Sequence, residues 1–230
     1  MAKAVAARRR PTDGDDSKSA RTRERILDAA AYVLSRKGYS GTRLTDVADK
    51  AEIQAPAIYY YFESRDDLIE AVMSVGLEHM REHVQAQLDA LPKGTDAISR
   101  IKVAAEAHLR YELGISDYTT AAIRNAGQVP DAIRKHQLDE EAKYGEIWRL
   151  LIRDAEKEGL LRPELDPFSA RMLLLGALNW TAEWWNPKRD PLETVLRTAQ
   201  AIVEHSLCDD ATLKAHAKRR GRPALGRATS

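Results

Sequence analysis

Residues 42–65, T-R-L-T-D-V-A-D-K-A-E-I-Q-A-P-A-I-Y-Y-Y-F-E-S-R, contain the pattern that decides the fold of this chain. Apolar side chains in the first part recur at i, i+3, i+4 and i+7, which is the spacing of one buried helical face. These residues are Leu44, Val47, Ala48 and Ala51. A short break at residues 52–54 precedes a second apolar segment, residues 55–61, in which Ile58 is expected to be buried. Two short helices across a tight turn form a helix-turn-helix, whose second helix can enter the major groove of DNA.

The same segment resembles the DNA-binding motif of TetR-family transcriptional regulators, whose pattern is T-x-x-x-I-A-x-x-A-G-V-S-x-G-x-L-Y-x-H-F-x-x-K-x-x-L. The resemblance covers about residues 20–68 and includes hydrophobic, turn and phosphate-contact positions. The matching residues are Thr42, Val47, Ala48, Ala51, Ile53, Ile58, Tyr59, Phe62, Arg65 and Leu68. The resemblance implies an all-α protein, with an N-terminal three-helix helix-turn-helix DNA-binding domain and a larger C-terminal helical domain that binds a ligand and dimerises.

Three residues depart from the family pattern at the turn and at the edge that reads DNA. Glu52 replaces glycine, and a non-glycine residue with positive φ carries a strain cost. Gln54 replaces the usual serine or threonine at the start of the recognition helix. Pro56 replaces a frequent glycine and suits the first helical turn, because its missing N–H would be unpaired there anyway. We expect the fold to survive these changes and the base preference to differ.

Residues of this motif are expected to perform two tasks on DNA. Phosphate contacts are predicted from Thr42, Tyr59 and Arg65, which are family positions, and from the neighbouring Tyr60. Arginine suits guanine, glutamine suits adenine, and alanine methyl groups suit the thymine methyl group. The predicted base-reading residues are therefore Arg43, Gln54, Ala55 and Ala57. The alternative for the tyrosines is core packing, which we expect for Tyr61.

Periodicity and helix-capping signals divide the chain into four parts. These are a disordered basic arm at residues 1–18, the helix-turn-helix domain at 19–66, a helical effector-binding and dimerisation domain at 67–208, and a basic disordered tail at 209–230. Outside the motif, helices are predicted at about residues 19–37, 64–90, 95–113, 118–125, 136–158, 167–185 and 191–207. Their N-terminal caps are predicted from Ser64 with Asp67, from Asp166, and from Asp190 with Glu193, while Thr42 is predicted to cap the first motif helix.

Charge is distributed unevenly along the chain, although the net charge is only +1. Residues 1–65 carry +4, residues 214–230 carry +6, and the residues between them carry −9. The acidic middle argues against several phosphates bound inside it unless arginines are locally arranged. A single cysteine, Cys208, fits a reducing cytosol, and the longest apolar run, residues 172–185, is too short to span a membrane. We therefore expect a cytoplasmic protein without membrane contact.

Both ends of the chain carry arginine clusters that allow two interpretations each. Residues 8–10 are three arginines, which form either a solubilising tail or an arm that reaches phosphates or the minor groove. Residues 218–223, K-R-R-G-R-P, contain the R-G-R-P core of an AT-hook. In that interpretation Arg219, Arg220 and Arg222 enter an A·T-rich minor groove; the alternative is a solvated basic tail.

Polar or aromatic residues on otherwise apolar helical faces are the candidates for an effector pocket, which the resemblance places inside the C-terminal bundle. These residues are His108, Tyr111, Tyr144, Trp148, Asn179, Trp180 and Trp184. The alternative for each is ordinary core packing. Indole and phenol side chains favour a large, partly apolar ligand. The W-x-x-x-W at residues 180–184 is also similar to regulators of fatty-acid or sterol breakdown that sense acyl-CoA thioesters.

The last two predicted helices carry apolar stripes that are candidates for a subunit interface. The stripes consist of Phe168, Met172, Leu175, Leu192, Val195, Leu196, Ala199, Ile202 and Val203. In the resembled family such helices pair with those of a second subunit as a four-helix bundle, so we expect a homodimer. The alternative is that both stripes are buried within one subunit.

These observations predict a sequence-specific transcriptional regulator, a repressor that a small, partly apolar ligand releases from a palindromic operator. A fatty-acyl or sterol-derived CoA thioester is one candidate ligand. The alternatives are a ligand-independent architectural DNA-binding protein and an enzyme that uses the C-terminal pocket. An enzyme is not expected, because no Ser/His/Asp order, glycine-rich phosphate loop or metal triad can be read. No cofactor or metal is expected either: His79 and His83 have the spacing of a metal pair, but no third ligand is recognisable.

Overall fold

The computed structural model describes residues 13–131 and 135–209, together with residues 211, 212, 214, 215 and 218. The described chain is helical, which confirms the predicted all-α class. The helices are α1 (Asp13–Gly41), α2 (Leu44–Ala51), α3 (Ala55–Ile58), α4 (Arg65–Asp89), α5 (Ala97–Arg110), α6 (Asp117–Asn125), α7 (Lys135–Lys157), α8 (Pro167–Asn179), α9 (Thr181–Trp184) and α10 (Leu192–Leu207). A π-helical turn, Tyr111–Ile115, connects α5 to α6. Within the described residues, no helix combines the length and the apolar composition needed to cross a membrane.

Two hydrophobic cores organise these helices, and α4 contributes to both. The first core joins α1, α2, α3, the first half of α4 up to Leu77, and α6. The second core joins the rest of α4, from Met80 onward, to α5, α7, α8 and α10. Ala121 and Ala122 of α6 therefore pack with the helices of the helix-turn-helix, although they lie more than 50 residues after the start of α4. The packing boundary runs through α4 and α6 rather than between residues 66 and 67.

The helix boundaries differ from the predicted ones at four places. Helix α5 ends at Arg110 rather than at residue 113, and the π-helical turn follows it. Helix α1 begins at Asp13, six residues before the predicted start, and contains a kink at Gly38, where φ is 70° and ψ is 175°. The recognition helix α3 ends at Ile58 rather than at the predicted residue 61, and Tyr59–Tyr61 form a turn. The helix predicted at residues 167–185 is divided at Trp180 into α8 and α9.

Two predicted caps are confirmed and two are wrong. Ser64 accepts a hydrogen bond from the Asp67 amide at 3.0 Å, and Asp166 accepts one from the Ser169 amide at 2.8 Å. The N-cap of α10 is Pro191, without a side-chain cap; the carboxylate of Asp190, the predicted cap, pairs with Arg189 at 2.7 Å, and Glu193 pairs with Arg110 at 2.7 Å. Thr42 does not cap α2, since its hydroxyl donates to the Gly38 carbonyl at 2.8 Å, which the kink in α1 brings within reach.

Glu52 occupies the strained position that the sequence predicted for the turn between α2 and α3. Its φ of 55° and ψ of 48° lie in the left-handed region, and it is the one non-glycine residue with positive φ in the described chain. Its amide donates to the Asp49 carbonyl at 3.2 Å and the next amide, of Ile53, donates to Ala48 at 3.0 Å. These two bonds end α2 in the way that glycine usually does, and the left-handed conformation costs the glutamate about 1–2 kcal/mol.

Helices α4 and α6 touch backbone to backbone at Gly76. A Cβ atom at this position would lie 2.4 Å from the Tyr118 carbonyl oxygen, which is closer than any side chain tolerates. The Thr119 hydroxyl donates to the Gly76 carbonyl at 3.1 Å and is itself fully buried. Glycine is therefore required in the middle of α4, although it weakens a helix interior by about 0.5–1 kcal/mol relative to alanine.

We predict that Gly76→Ala destabilises the protein by about 1–3 kcal/mol, because the added methyl group must push α6 away from α4. The matched control is Gly145→Ala in the middle of α7, where an added Cβ meets nothing within 4 Å. The control should stabilise the protein by up to about 1 kcal/mol through helix propensity alone. Urea unfolding followed by circular dichroism measures both; equal effects of the two substitutions would contradict the close packing.

Candidate DNA-binding surface and ligand cavity

The predicted DNA-reading residues lie at the surface of the helix-turn-helix. Arg43 and Gln54, at the N-caps of α2 and α3, are exposed, while Ala55 and Ala57 are half-buried on α3. Tyr59 is 60% exposed and Tyr60 is 81% exposed, so both hydroxyl groups can reach a phosphate. Tyr61 packs against the first core, as predicted, with its ring 5.0 Å edge-on from that of Tyr60.

Thr42 and Arg65 act inside the protein rather than at its surface. Thr42 is 3% exposed, and its hydroxyl donates a hydrogen bond to the Gly38 carbonyl. The Arg65 guanidinium donates to the Thr42 carbonyl at 2.8 Å and to the Tyr39 carbonyl, and it pairs with Asp66 at 2.9 Å. Their predicted phosphate contacts are therefore not available in this conformation. Both residues instead hold the turn from α1 to α2 against the start of α4.

Helix α6 binds the same end of α1 through polar side chains that the sequence did not single out. Asn125 is fully buried; its side chain accepts the Tyr39 amide at 2.7 Å and donates to the Ala121 carbonyl at 2.8 Å. Asp117 pairs with Arg36 at 2.8 Å. The turn that positions α2 is thus held by a residue of α6, more than 80 residues away in sequence. No local pattern signals such a contact.

A cavity of about 740 Å³ opens between α4, α5, α6, α7 and α8. Its walls are mainly apolar, but polar side chains also line it, among them those of Glu141, Glu146 and Arg171. Apolar walls with polar groups that orient a ligand are usual for a small-molecule site of this size. The lining residues include Leu77, Met80, His108, Thr119, Ala122, Ile123, Leu138, Tyr144, Arg171, Met172, Leu175 and Asn179. One face of α6 therefore forms a wall of the cavity.

The predicted effector residues fall into three groups. His108, Tyr144 and Asn179 line the cavity. Trp148 is fully buried core behind Tyr144, and Tyr111 stacks on His83 at 4.8 Å between ring centres. Trp180 is 64% exposed, and Trp184 lines a separate apolar pocket of about 370 Å³ between α8, α9 and α10. These last four residues do not contribute to the larger cavity, because their helical faces point away from it.

A buried polar chain lies in the cavity wall beside His108. Its Nδ1 is 2.7 Å from the Tyr144 hydroxyl, and its Nε2 is 3.3 Å from a carboxylate oxygen of Glu112, which is 2% exposed. Burial raises the pKa of Glu112 above its ordinary value of 4.5, and the neighbouring His108 opposes this shift. Burial also raises the pKa of Tyr144. Glu112 was missed by the sequence analysis; it lies on the π-helical turn, a feature often found at functional sites.

The predicted subunit-interface residues are divided between exposed and buried positions. Leu196 is 2% exposed and Val203 is fully buried, because this side of α10 packs on α5, so the prediction that they reach a second subunit is wrong. Leu192, Val195 and Ala199 are half-buried against the second core, and Met172 and Leu175 face the cavity. Phe168 and Ile202 remain 64% and 57% exposed. The unpredicted Leu173 is the most exposed large apolar residue of α8, at 75%.

The remaining predicted features are the terminal arginine clusters and the two histidines of α4. Arg219, Arg220 and Arg222 of the tail, and the arginines at residues 8–10, lie outside the described residues. His79 and His83 pack against the rings of Tyr118 and Tyr111, with ring centres 6.2 and 4.8 Å apart.

Comparison with known proteins identifies the class to which this fold and surface belong. Residues 26–72 match the family model of bacterial regulatory proteins, tetR family. Residues 94–191 match the family model of the tetracyclin repressor-like C-terminal domain. The chain belongs to the TetR family of DNA-binding transcriptional regulators, which are not enzymes.

Individual relatives cover most of the chain at low identity. The HTH-type transcriptional repressor KstR2 of Rhodococcus jostii is 24% identical over 202 residues, which are 84% of this chain and 94% of the relative. The crystal structure of AibR in complex with isovaleryl coenzyme A and operator DNA has a TM-score of 0.71 and 20% identity, covering 79% of this chain and 97% of AibR. The FadR structure from Bacillus subtilis with stearoyl-CoA has a TM-score of 0.67 and 17% identity, covering 80% of this chain and 98% of FadR. At these identities the solved structures show a common fold.

We predict that Tyr59→Phe weakens binding to all DNA sequences alike, by about 3- to 10-fold, because one hydroxyl bond to a phosphate is lost. Gln54→Ala should instead lower affinity for the preferred sequence and reduce the discrimination between bases at one position. Fluorescence anisotropy with DNA recovered by selection from a random pool measures both. Gln87→Ala, at an exposed position in the second half of α4, is the matched control and should change neither property. Unchanged binding by both α3-region variants would show that this helix does not read DNA.

We predict that Glu112→Gln changes how stability depends on pH. Because the pKa of Glu112 is raised in the folded state, the wild type loses stability as pH rises above about 4.5, and glutamine removes this loss. The free energy of unfolding of the variant, relative to wild type, should therefore increase from pH 5 towards pH 8 in urea titrations. Glu63→Gln, at an exposed position, is the matched control for the loss of one carboxylate. A constant difference for Glu112→Gln would contradict the raised pKa.

Proposed function

We propose that this TetR-family protein is a homodimeric repressor that binds a palindromic operator and releases it when an acyl thioester of coenzyme A occupies the 740 Å³ cavity. The observation that carries the proposal is the position of α6. Ala122 and Ile123 on this helix line the cavity, while Asn125 at its end binds the turn that begins the DNA-binding motif. A ligand that shifts α6 therefore acts directly on that turn.

The cavity suits a ligand with a long apolar part and a polar end. Leucine, isoleucine, methionine and alanine supply about half of its lining residues, and His108 and Tyr144 supply hydrogen-bonding groups at one place. Two proteins of similar fold were crystallised with isovaleryl-CoA and stearoyl-CoA, which share a thioester and differ in the acyl chain. The relative KstR2 is named a repressor, which supports repression as the sign of regulation.

The exposed apolar residues of α8, α9 and α10 support a homodimer. Leu173 on α8, Trp180 at the junction of α8 and α9, and Ile202 on α10 are each more than half exposed, which is unusual for large apolar side chains on neighbouring helices. A second copy of this surface would bury them around a two-fold axis. Two copies of α3 would then reach half-sites about 34–36 Å apart, or a multiple of that distance.

In this arrangement, the tyrosines and Arg43 contact one half-site per subunit. Ligand binding favours a position of α6 that changes the turn held by Asn125 and Arg65. The two recognition helices then no longer fit both half-sites at once, and the operator is released. The ligand shifts the equilibrium only as far as it binds the released conformation more tightly than the DNA-bound one.

Selection of bound DNA from a random pool, followed by release tests with acyl-CoAs, examines the proposal. We expect a palindromic sequence to be enriched and at least one of isovaleryl-CoA, octanoyl-CoA and stearoyl-CoA to weaken operator binding at least tenfold. Free coenzyme A is the control and should not release the DNA. Failure to enrich any sequence would refute specific binding; enrichment without release by any of the three thioesters would refute the proposed effector class. Sedimentation of the DNA-free protein as a monomer at micromolar concentration would refute the homodimer.

A further inference from the structure

A second recess of about 260 Å³ lies beside the cavity, between α7 and the start of α8, and three arginines line it. Arg149 and Arg153 are one helical turn apart on α7, and Arg171 approaches from α8. Phe168, which is 64% exposed, forms an apolar wall of the same recess. The recess thus combines three arginines and one carboxylate, that of Glu156, with an aromatic surface, in a region of the chain that is acidic overall.

Arg171 connects this recess to the cavity, because its side chain lines both. Its guanidinium donates to the Gly145 carbonyl at 3.2 Å and lies over the Phe168 ring at 5.3 Å. Among the described residues no carboxylate pairs with it. The Nε–H groups of Arg153 and Arg171 are buried and have no hydrogen-bond partner within the described chain. Such unsatisfied donors are costly and favour an acceptor from a ligand.

Two of the three arginines already have a carboxylate partner: Arg149 pairs with Glu146, and Arg153 lies 3.7 Å from Asp154. The pKa of Glu146 lies below its ordinary value mainly because Arg149 hydrogen-bonds it, and the charges of Arg153 and Arg171 add to the effect. The Arg149–Glu146 pair is exposed on both sides, and exposed pairs of this kind contribute little to stability. A phosphate group, which carries more charge and three acceptor oxygens, can therefore replace Glu146 as the partner of Arg149.

We propose that Arg149, Arg153 and Arg171 form an anion subsite for the phosphate groups at the nucleotide end of the effector, while the acyl end occupies the cavity. Arg171 stands at the junction, and Phe168 provides a surface on which an adenine ring stacks. The first turn of α8 is not part of this subsite, because Asp166 already accepts its Ser169 amide. The proposal rests on the proposed function, which supplies a phosphate-bearing thioester as the effector.

The test uses the full-length protein and three kinds of probe. The probes are isovaleryl-CoA and stearoyl-CoA, the matching S-acyl pantetheines, which lack the nucleotide, and adenosine 3′,5′-bisphosphate, which lacks the acyl chain. The variants are Arg149→Gln, Arg153→Gln and Arg171→Gln. The matched control is Arg197→Gln on the exposed side of α10, outside both spaces. Binding is followed by isothermal titration at two salt concentrations, after circular dichroism has shown that each variant is folded.

We expect each arginine variant to weaken binding of the acyl-CoA about tenfold or more and to reduce the dependence of its affinity on salt. Binding of the S-acyl pantetheine should be unchanged, and binding of the bisphosphate should be lost. The Arg197 control should match the wild type for all three probes. If Arg171→Gln disturbs the packing of α7 on α8, Arg149→Gln and Arg153→Gln still decide, since both side chains are about half exposed.

The other outcomes separate this proposal from the proposed function. Wild-type affinity of the arginine variants for the acyl-CoA and the bisphosphate would overturn the subsite and leave the effector class intact. Equal weakening of the acyl-CoA and the S-acyl pantetheine would also overturn it, since the arginines would then support the cavity rather than bind phosphate. Arginine-dependent binding of the bisphosphate, without binding of any thioester, would support the subsite and refute the proposed effector. Binding of none of the probes would refute both.

Discussion

The backbone contact between α4 and α6 at Gly76 is the constraint on which the arrangement of this protein depends. Because glycine allows the Tyr118 carbonyl to lie against α4, α6 sits deep enough to reach α1 on one side and the cavity on the other. A larger residue would move α6 outward and separate these two contacts. The close approach therefore fixes the distance between the ligand cavity and the DNA-binding motif. The short helix α6 spans this distance.

The hydrogen bonds that hold the DNA-binding motif in shape use side chains that could otherwise contact DNA. Arg65 and Thr42, which the family resemblance assigned to phosphates, are used to fix the end of α1. Glu52 remains in a left-handed conformation because the hydrogen bonds that end α2 require it. The energy cost of this strain is small compared with the burial of Ile58 and Phe62 in the first core. Exposed tyrosines and the N-cap residues of the two helices remain for contact with DNA.

Local sequence rules predicted the elements whose causes are themselves local. The helix-turn-helix follows from the spacing of Val47, Ala48 and Ala51, and the starts of α4 and α8 follow from Ser64 and Asp166. The rules failed where distant residues compete for the same group. Glu193 pairs with Arg110 instead of completing a capping box with Asp190, and the hydroxyl of Thr42 donates to the Gly38 carbonyl at the kink.

Tertiary contacts explain why the candidate sites were only partly predictable. His108 and Tyr144 could be chosen as polar residues on apolar faces, but nothing in the sequence indicated that Glu112 would be buried behind them. Both sides of α10 carry apolar residues, so the stripe alone could not tell Leu196, which packs on α5, from Ile202, which is exposed. The three arginines lie on two helices, and only the packing of α7 on α8 brings them together.

Helix α8 has different surroundings on its two sides. Leu175 faces the ligand cavity, whereas Leu173, two residues earlier, faces solvent on the surface where a second subunit is proposed to pack. In such a homodimer the same rigid helix is a wall of one binding site and a part of the contact with the other subunit. A ligand that shifts α8 in one subunit would then also act on the contact with the other subunit, and the two cavities would be coupled. The response to effector concentration would depart from a simple hyperbola without any further contact between the two ligands.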